Sequence, residues 1–179
     1  RNAIPRECFA TVYVAPDKLD IAKKVVADAF AEVKAEYAVT DPDCNYLFEP
    51  YKCAEGETCD PDECPYVEEE SALRFIQAIL ACPDGVERMS DQMPGLVETS
   101  NNMAMVKIYK GEFYVKSLLR SSVDSAKELL ALKLRSVFEL ALCRVEFGGG
   151  YSGWAPDMAS PILHVMKSEY KRMFGTEPK

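Results

Sequence analysis

The residues best suited to chemistry in this sequence are its cysteines, of which there are seven among 179 residues. Four of them lie in one acidic, proline-containing segment: Cys44, Cys53, Cys59 and Cys64. Thiolates bind zinc, but these cysteines lack the paired C-x2-C spacing of a zinc site, and no histidine lies nearby. A structural zinc site and a disulfide are the alternatives, and the sequence favours free thiols in a surface loop.

The sequence contains no other recognisable arrangement of catalytic residues. The single histidine, His164, lies beside Lys167 and Lys171 on the polar face of a predicted helix, so we expect it to be a solvated surface residue. The run Gly148-Gly149-Gly150 lacks the spacing of a phosphate-binding loop. The residues alone therefore predict a domain without a recognisable active site.

Charge and composition narrow the classes of function. The net charge of −8 argues against nucleic acid as a main partner, because binding to phosphates needs clustered lysine and arginine. No run approaches the roughly 20 apolar residues that span a membrane. The first residue is arginine rather than methionine, so we expect a piece that was cut or processed from a longer chain.

The secondary structure is most clearly predicted in the second half of the chain. Residues 103–109 and 112–119 alternate in polarity on either side of Lys110-Gly111, which predicts a β-hairpin. A helix should follow at once, with Ser121 as its N-cap and Asp124 in its first turn. Apolar residues at helical spacing predict its buried face: Ala126, Leu130, Leu134, Val137 and Ala141.

The first half of the chain repeats this plan at an offset of 104 residues. A strand is predicted at residues 6–14, then a helix from Pro16-Asp17 to about Tyr37. Returning strands are predicted at 44–48 and 143–147, and a further helix follows each of them. The predicted core residues are Leu73, Ile76 and Leu80 in the first of these helices, and Leu163, Met166, Tyr170 and Met173 in the second. We predict an α+β fold with two pseudo-repeated strand-helix-strand-helix units, about 1–90 and 91–179. They would form a mostly antiparallel sheet with helices packed on one face.

Three stretches also carry a resemblance to a known family. They are Arg1-Asn2-Ala3-Ile4-Pro5-Arg6-Glu7; the run from Gly95 to Ser125, with Thr99-Ser100-Asn101-Asn102 and Leu119-Arg120-Ser121-Ser122-Val123-Asp124-Ser125; and Gly150-Tyr151-Ser152-Gly153-Trp154-Ala155-Pro156-Asp157. They resemble the bacterial aminoacyl-histidine dipeptidases (peptidase D, Xaa-His dipeptidase), which are di-zinc metallopeptidases. The last stretch is similar to a Tyr-Pro-Gly-Trp pattern of that family, with Ser152 in place of proline.

The resemblance implies that this chain is the lid and dimerisation domain of such an enzyme, truncated at its N-terminal side. In the family, the zinc ligands and catalytic carboxylates lie before and after the lid, and a lid histidine would fall before residue 1. The expected parent is a cytoplasmic zinc-dependent hydrolase that acts on Xaa-His dipeptides and forms a homodimer. The isolated chain would hold no zinc and would be inactive.

Two residues are expected to contact the substrate if the resemblance holds. Asn2 lies in the Asn-x-Ile-Pro motif, whose asparagine reaches the substrate in the wider group. Arg120 ends a strand just before a helix, where its guanidinium could bind the terminal carboxylate of a peptide. Tyr151 and Trp154 could line the cleft, although aromatic residues bracketed by glycine more often have a packing role. The alternatives are a turn role for Asn2, a surface salt bridge for Arg120, and a free-standing association or ligand-binding module for the whole chain.

Overall fold

The computed structural model describes residues 3, 5–52, 66–109 and 111–178. The chain divides into two compact units. One comprises Arg1–Arg6 and Val67–Lys179, and the other is Glu7–Tyr66. Within the described residues, no helix has both the length and the apolar character needed to cross a membrane.

The unit Glu7–Tyr66 contains one long helix. A 3-10 turn at Pro16–Lys18 leads into α1, Leu19–Glu36, which confirms the predicted helix. The rings of Phe30 and Tyr46 lie 4.6 Å apart and pack α1 against the chain that follows it. None of the described residues of this unit is buried.

The strands predicted at residues 6–14 and 44–48 are wrong. Neither segment is a strand in the structure, and most of their apolar residues are exposed rather than half-buried, such as Phe9 at 89% and Leu47 at 79%. Alternating polarity is suited to a pleated surface, but a strand also needs a neighbour for its backbone hydrogen bonds. These two segments have no such neighbour among the described residues.

The larger unit is an antiparallel sheet covered by helices. Its elements are α2 (Glu69–Ala81), β1 (Gly85–Met89), β2 (Val97–Tyr109), β3 (Glu112–Ser121), α3 (Asp124–Leu140) and α4 (Pro161–Phe174). The strand order is β1-β2-β3, and both neighbouring pairs are antiparallel. The α+β fold and the hairpin of β2 and β3 are confirmed. β1 lies in a segment for which no strand is predicted from the sequence.

Helices α2 and α3 pack on one face of this sheet, as predicted. The phenyl ring of Phe75 stacks on that of Phe113 in β3, with centroids 3.9 Å apart. The buried cluster comes from the two helices and the segment that ends α2: Ala78, Cys82, Leu130, Leu134 and Phe138. Met103, Val115 and Leu119 of the sheet pack against it. We call this covered side of the sheet the inner face and the opposite side the outer face.

The predicted core faces of α2 and α4 are wrong. Leu73, Ile76 and Leu80 of α2 are exposed, because the stacking of Phe75 on the sheet turns a different side of the helix inward. In α4, Met166 and Met173 are likewise exposed.

The strand predicted at residues 143–147 is also wrong. The segment is irregular, and it packs Cys143 and Val145 against the cluster without joining the sheet. The Arg135 guanidinium lies 5.1 Å from the ring centre of Phe147. Side-chain packing rather than strand pairing therefore places this segment.

Candidate functional site

Arg120 lies near the end of β3, on the outer face of the sheet. Its register partner in β2 is Ser100, and side chains of paired residues share a face. The Arg120 side chain is exposed. Within the described parts of the chain it forms no side-chain hydrogen bond or ion pair. The surface salt bridge considered for Arg120 is therefore not formed with any described residue, and its guanidinium is available to bind an anion.

The N-terminal stretch reaches the same face of the sheet. Asn102, two residues after Ser100 on β2, donates a hydrogen bond from Nδ2 to the backbone oxygen of Ala3 at 3.0 Å. Because residues two apart on a strand point to the same side, this bond places Ala3 on the outer face with Arg120. Asn2, the other predicted contact residue, lies outside the described residues.

Ser121 does not cap α3 as predicted. The helix begins at Asp124, and the residue before it, Val123, provides no side-chain cap. The Ser121 hydroxyl instead accepts a hydrogen bond from the Val123 amide at 3.0 Å and pairs with the Thr99 hydroxyl at 2.8 Å. Thr99 is only 1% exposed. Ser121 therefore fixes the connection between β3 and α3 rather than the first turn of the helix.

The carboxylate of Asp124 joins this connection to a distant loop. Its Oδ1 accepts a hydrogen bond from the Gly153 amide at 2.9 Å and one from Lys127 Nζ at 2.8 Å. These bonds, that from Lys127 first and that from Gly153 second, lower the pKa of Asp124 from 3.8 to about 2. Lys127 also donates to the backbone oxygen of Tyr151. Two residues of α3 thus hold residues 150–157, which we call the 150–157 loop.

Gly153 is the point at which this loop touches β3. A Cβ atom built at this position would lie 2.5 Å from the backbone oxygen of Ser121 and 2.7 Å from the carbonyl carbon of Ser122. Both distances are shorter than carbon atoms tolerate, and both neighbours are backbone atoms that cannot swing away. The close approach therefore requires glycine, and it occurs at the residue directly after Arg120.

The two large aromatic residues of the loop point into solvent. Tyr151 and Trp154 are each 81% exposed, although the backbone between them is held by Asp124 and Lys127. Burial cannot explain an aromatic pair presented in this way. The sequence had indicated both residues as possible lining of a cleft. It gave no indication of the contact between Asp124 and Gly153. The only signal in the sequence that could have indicated a close backbone contact is the presence of glycine on both sides of the loop's aromatic residues.

The described cysteines are free thiols, and the histidine is exposed. Cys8, Cys44, Cys82 and Cys143 are free, and burial, followed by the charge of Asp84, raises the pKa of Cys82 to about 11. The other cysteines of the predicted zinc or thiol segment, Cys53, Cys59 and Cys64, lie outside the described residues. His164 is exposed on α4, as expected.

No metal-binding cluster is found in the part of the chain that the structure describes. Nowhere in it do three or more histidine, cysteine, aspartate or glutamate side chains come together in a way that could hold a metal ion. The site offers the guanidinium of Arg120, and the loop that carries the exposed Tyr151 and Trp154 contacts the backbone of the next residue, Ser121. This chemistry suits binding of a carboxylate-bearing ligand.

Comparison with known proteins identifies relatives of this chain. No family model matches it. The cytosol non-specific dipeptidase of Escherichia coli (strain K12) is 35% identical over 178 residues, which are 99% of this chain and 35% of that protein. The crystal structure of aminoacylhistidine dipeptidase from Vibrio alginolyticus has a TM-score of 0.78 and 31% identity, and the match covers 90% of this chain and 31% of that one. The resemblance to these dipeptidases is confirmed, for a chain that spans about a third of their length.

Proposed function

Because nearly the whole of this chain matches one third of a dipeptidase, we propose that it is the lid and dimerisation region of a zinc-dependent dipeptidase that hydrolyses Xaa-His dipeptides. It would contribute residues that bind the substrate and no metal ligands. Zinc would be held by the remainder of the parent enzyme, since the described residues offer no cluster suited to it. The zinc would supply an activated water for attack on the peptide bond.

The observation that carries this proposal is the exposed guanidinium of Arg120 at the end of β3, which has no partner among the described residues. A guanidinium binds a carboxylate through two parallel hydrogen bonds, which fixes both the position and the orientation of the anion. Arg120 would hold the terminal carboxylate of the dipeptide. Asn2 would donate from its amide to a substrate oxygen, and it directly precedes Ala3, which Asn102 holds on the same face as Arg120.

The sheet supports the proposed homodimer. In the order β1-β2-β3, the strand β3 lies at an edge and is 10 residues long. The unpaired N–H and C=O groups of an edge strand can pair with a strand of another chain. We therefore propose that two copies associate through the larger unit, and that the parent enzyme is cytoplasmic.

The test is hydrolysis by the full-length protein carrying Arg120→Ala. Hydrogen bonds to a charged group contribute about 1.5–3 kcal/mol, so we expect KM for β-alanyl-histidine to rise about 10- to 150-fold. The same peptide with an amidated C-terminus should be hydrolysed equally by the variant and the unchanged protein, because the amide cannot form the ion pair. Arg172→Ala is the matched control, since Arg172 lies on α4 and pairs with Glu169.

Two results would contradict the proposal. An equal loss of activity on the acid and the amide would show that Arg120 acts through the fold rather than on the carboxylate. Stoichiometric zinc and turnover in the 179-residue chain alone would show that the active site lies within it. The alternative is that the chain is a free-standing binding module. In that case, the gene would encode no catalytic sequence beside this chain.

A further inference from the structure

The 150–157 loop combines a fixed backbone with exposed aromatic side chains. Two hydrogen bonds tie it to α3, from Gly153 N to Asp124 and from Lys127 to the backbone oxygen of Tyr151, and Lys127 also donates to Asp124 within the helix. Backbone contact at Gly153 adds a steric fit against Ser121. The loop is therefore held by polar contacts and shape, while the side chains of Tyr151 and Trp154 make no contact that the structure records among the described residues.

Aromatic rings held in solvent by an ordered backbone are suited to binding. Their large planar surfaces lose little conformational entropy when a ligand packs on them, since the backbone is already fixed. The loop meets β3 at Ser121, directly after Arg120. If Arg120 binds the C-terminal carboxylate of a peptide, the side chain of that C-terminal residue, which is attached to the neighbouring carbon, would therefore lie near the 150–157 loop.

We propose that Asp124 is a positioning residue that fixes the 150–157 loop, so that Trp154 and Tyr151 form a wall for the side chain of the C-terminal residue of the substrate. The inference rests on the proposed role of Arg120 in binding the C-terminal carboxylate. A flat ring such as imidazole can stack on this wall, whereas glycine has no side chain to place there. Asp124 would then determine which C-terminal residues are favoured, without touching the substrate itself.

The first experiment measures the loop directly in the 179-residue chain. Trp154 is its only tryptophan, so intrinsic fluorescence reports on this loop alone. Asp124→Ala removes both hydrogen bonds, and we expect lower tryptophan anisotropy and stronger acrylamide quenching. Asp124→Asn retains an acceptor for Gly153, so its loop should be closer to that of the unchanged chain. Glu128→Ala, at an exposed position of the same helix, is the control for loss of a carboxylate.

The second experiment measures selectivity in the full-length protein. Stacking between aromatic rings corresponds to about two- to tenfold in affinity. We expect Asp124→Ala and Trp154→Ala each to raise KM for a dipeptide with C-terminal histidine by this factor. KM for the dipeptide with C-terminal glycine, and kcat for both substrates, should stay within twofold. A general structural defect would instead lower activity on both substrates alike.

The outcomes separate this inference from the proposed function. Unchanged Trp154 fluorescence in Asp124→Ala, or equal KM changes for the two substrates, would overturn the positioning role even if Arg120→Ala abolishes carboxylate recognition. If Arg120→Ala has no effect while Asp124→Ala frees the loop, the proposed function fails and Asp124 is left with a structural role only, which also overturns the inference. If Asp124→Ala loses its far-UV circular dichroism signal, the variant is unfolded. Both the fluorescence and the selectivity tests would then use Asp124→Asn, for which we expect changes in the same direction but of smaller size.

Discussion

Replacement of Gly153 by alanine tests the fit between the 150–157 loop and the end of β3. The added Cβ would lie 2.5 Å from the Ser121 oxygen, whereas ordinary contact begins at 3.4 Å. The loop would have to retreat by about 0.9 Å, which is the difference between these two distances. A retreat of that size would carry the Gly153 amide beyond hydrogen-bonding distance from Asp124, now 2.9 Å away.

The expected loss of stability follows from the nature of the contact. Gly153 does not have a positive φ angle, so alanine brings no backbone strain there, and the whole effect comes from overpacking. Overpacking of a close contact costs about 1–3 kcal/mol. We expect the free energy of unfolding, measured with urea by circular dichroism and Trp154 fluorescence, to fall by about this amount.

Gly150→Ala is the matched control. It lies in the same loop, has no positive φ, and would place its Cβ in open space. We expect a change within about 0.5 kcal/mol for this surface substitution. If Gly153→Ala and Gly150→Ala have the same stability, the loop does not pack against Ser121 as the structure places it, and the argument from close approach is refuted.

Two further predictions concern the core and the ion pair. Leu130→Ala should lower the free energy of unfolding by about 2–5 kcal/mol, because Leu130 is 1% exposed in the buried cluster. Leu132→Ala, at a position 57% exposed, should change it by less than about 1 kcal/mol, and similar losses for the two would contradict the assigned core. The fold lowers the pKa of Asp124 from 3.8 to about 2, mainly through Lys127. The ionised carboxylate therefore stabilises the fold above the ordinary pKa, and this contribution is lost as the pH falls through about 2. Acid titration of Trp154 fluorescence should therefore show loop release between about pH 4 and 2 that is absent from Asp124→Asn, and identical titrations would contradict it.

The elements that the sequence predicted correctly carry strong local signals. Lys110-Gly111 between two alternating segments predicted the hairpin of β2 and β3. Ser160 followed by Pro161 is a typical helix start and stands at the beginning of α4, and Gly175, with φ of 71°, ends that helix. Turn and cap residues act through their own backbone preferences, so their effect is visible without knowledge of the rest of the fold.

The errors occur where a distant partner decides the structure. β1 has only exposed residues, yet it is a strand because β2 pairs with it and because Asp84 accepts a hydrogen bond from the Met103 amide at 2.7 Å. Residues 6–14 and 44–48 have a better strand pattern and no described partner. The face of α2 was misjudged for the same reason, since Phe75 and Ala78 also recur at helical spacing and the contact with Phe113 determines which side is covered.

The candidate site shows the same division between local and distant information. Arg120 was predicted from the family resemblance together with its position at the end of a strand, and the structure leaves its guanidinium exposed and without a described partner. Asp124 was predicted as an acid in the first turn of a helix, which is where it lies. Its hydrogen bond, however, goes to an amide 29 residues away in sequence. A carboxylate at a helix start is favoured by the helix dipole in any case, so the sequence gives no sign of its second partner. The close fit of Gly153 against Ser121 makes that second contact specific, and it brings two of the three stretches that carry the resemblance together beside Arg120.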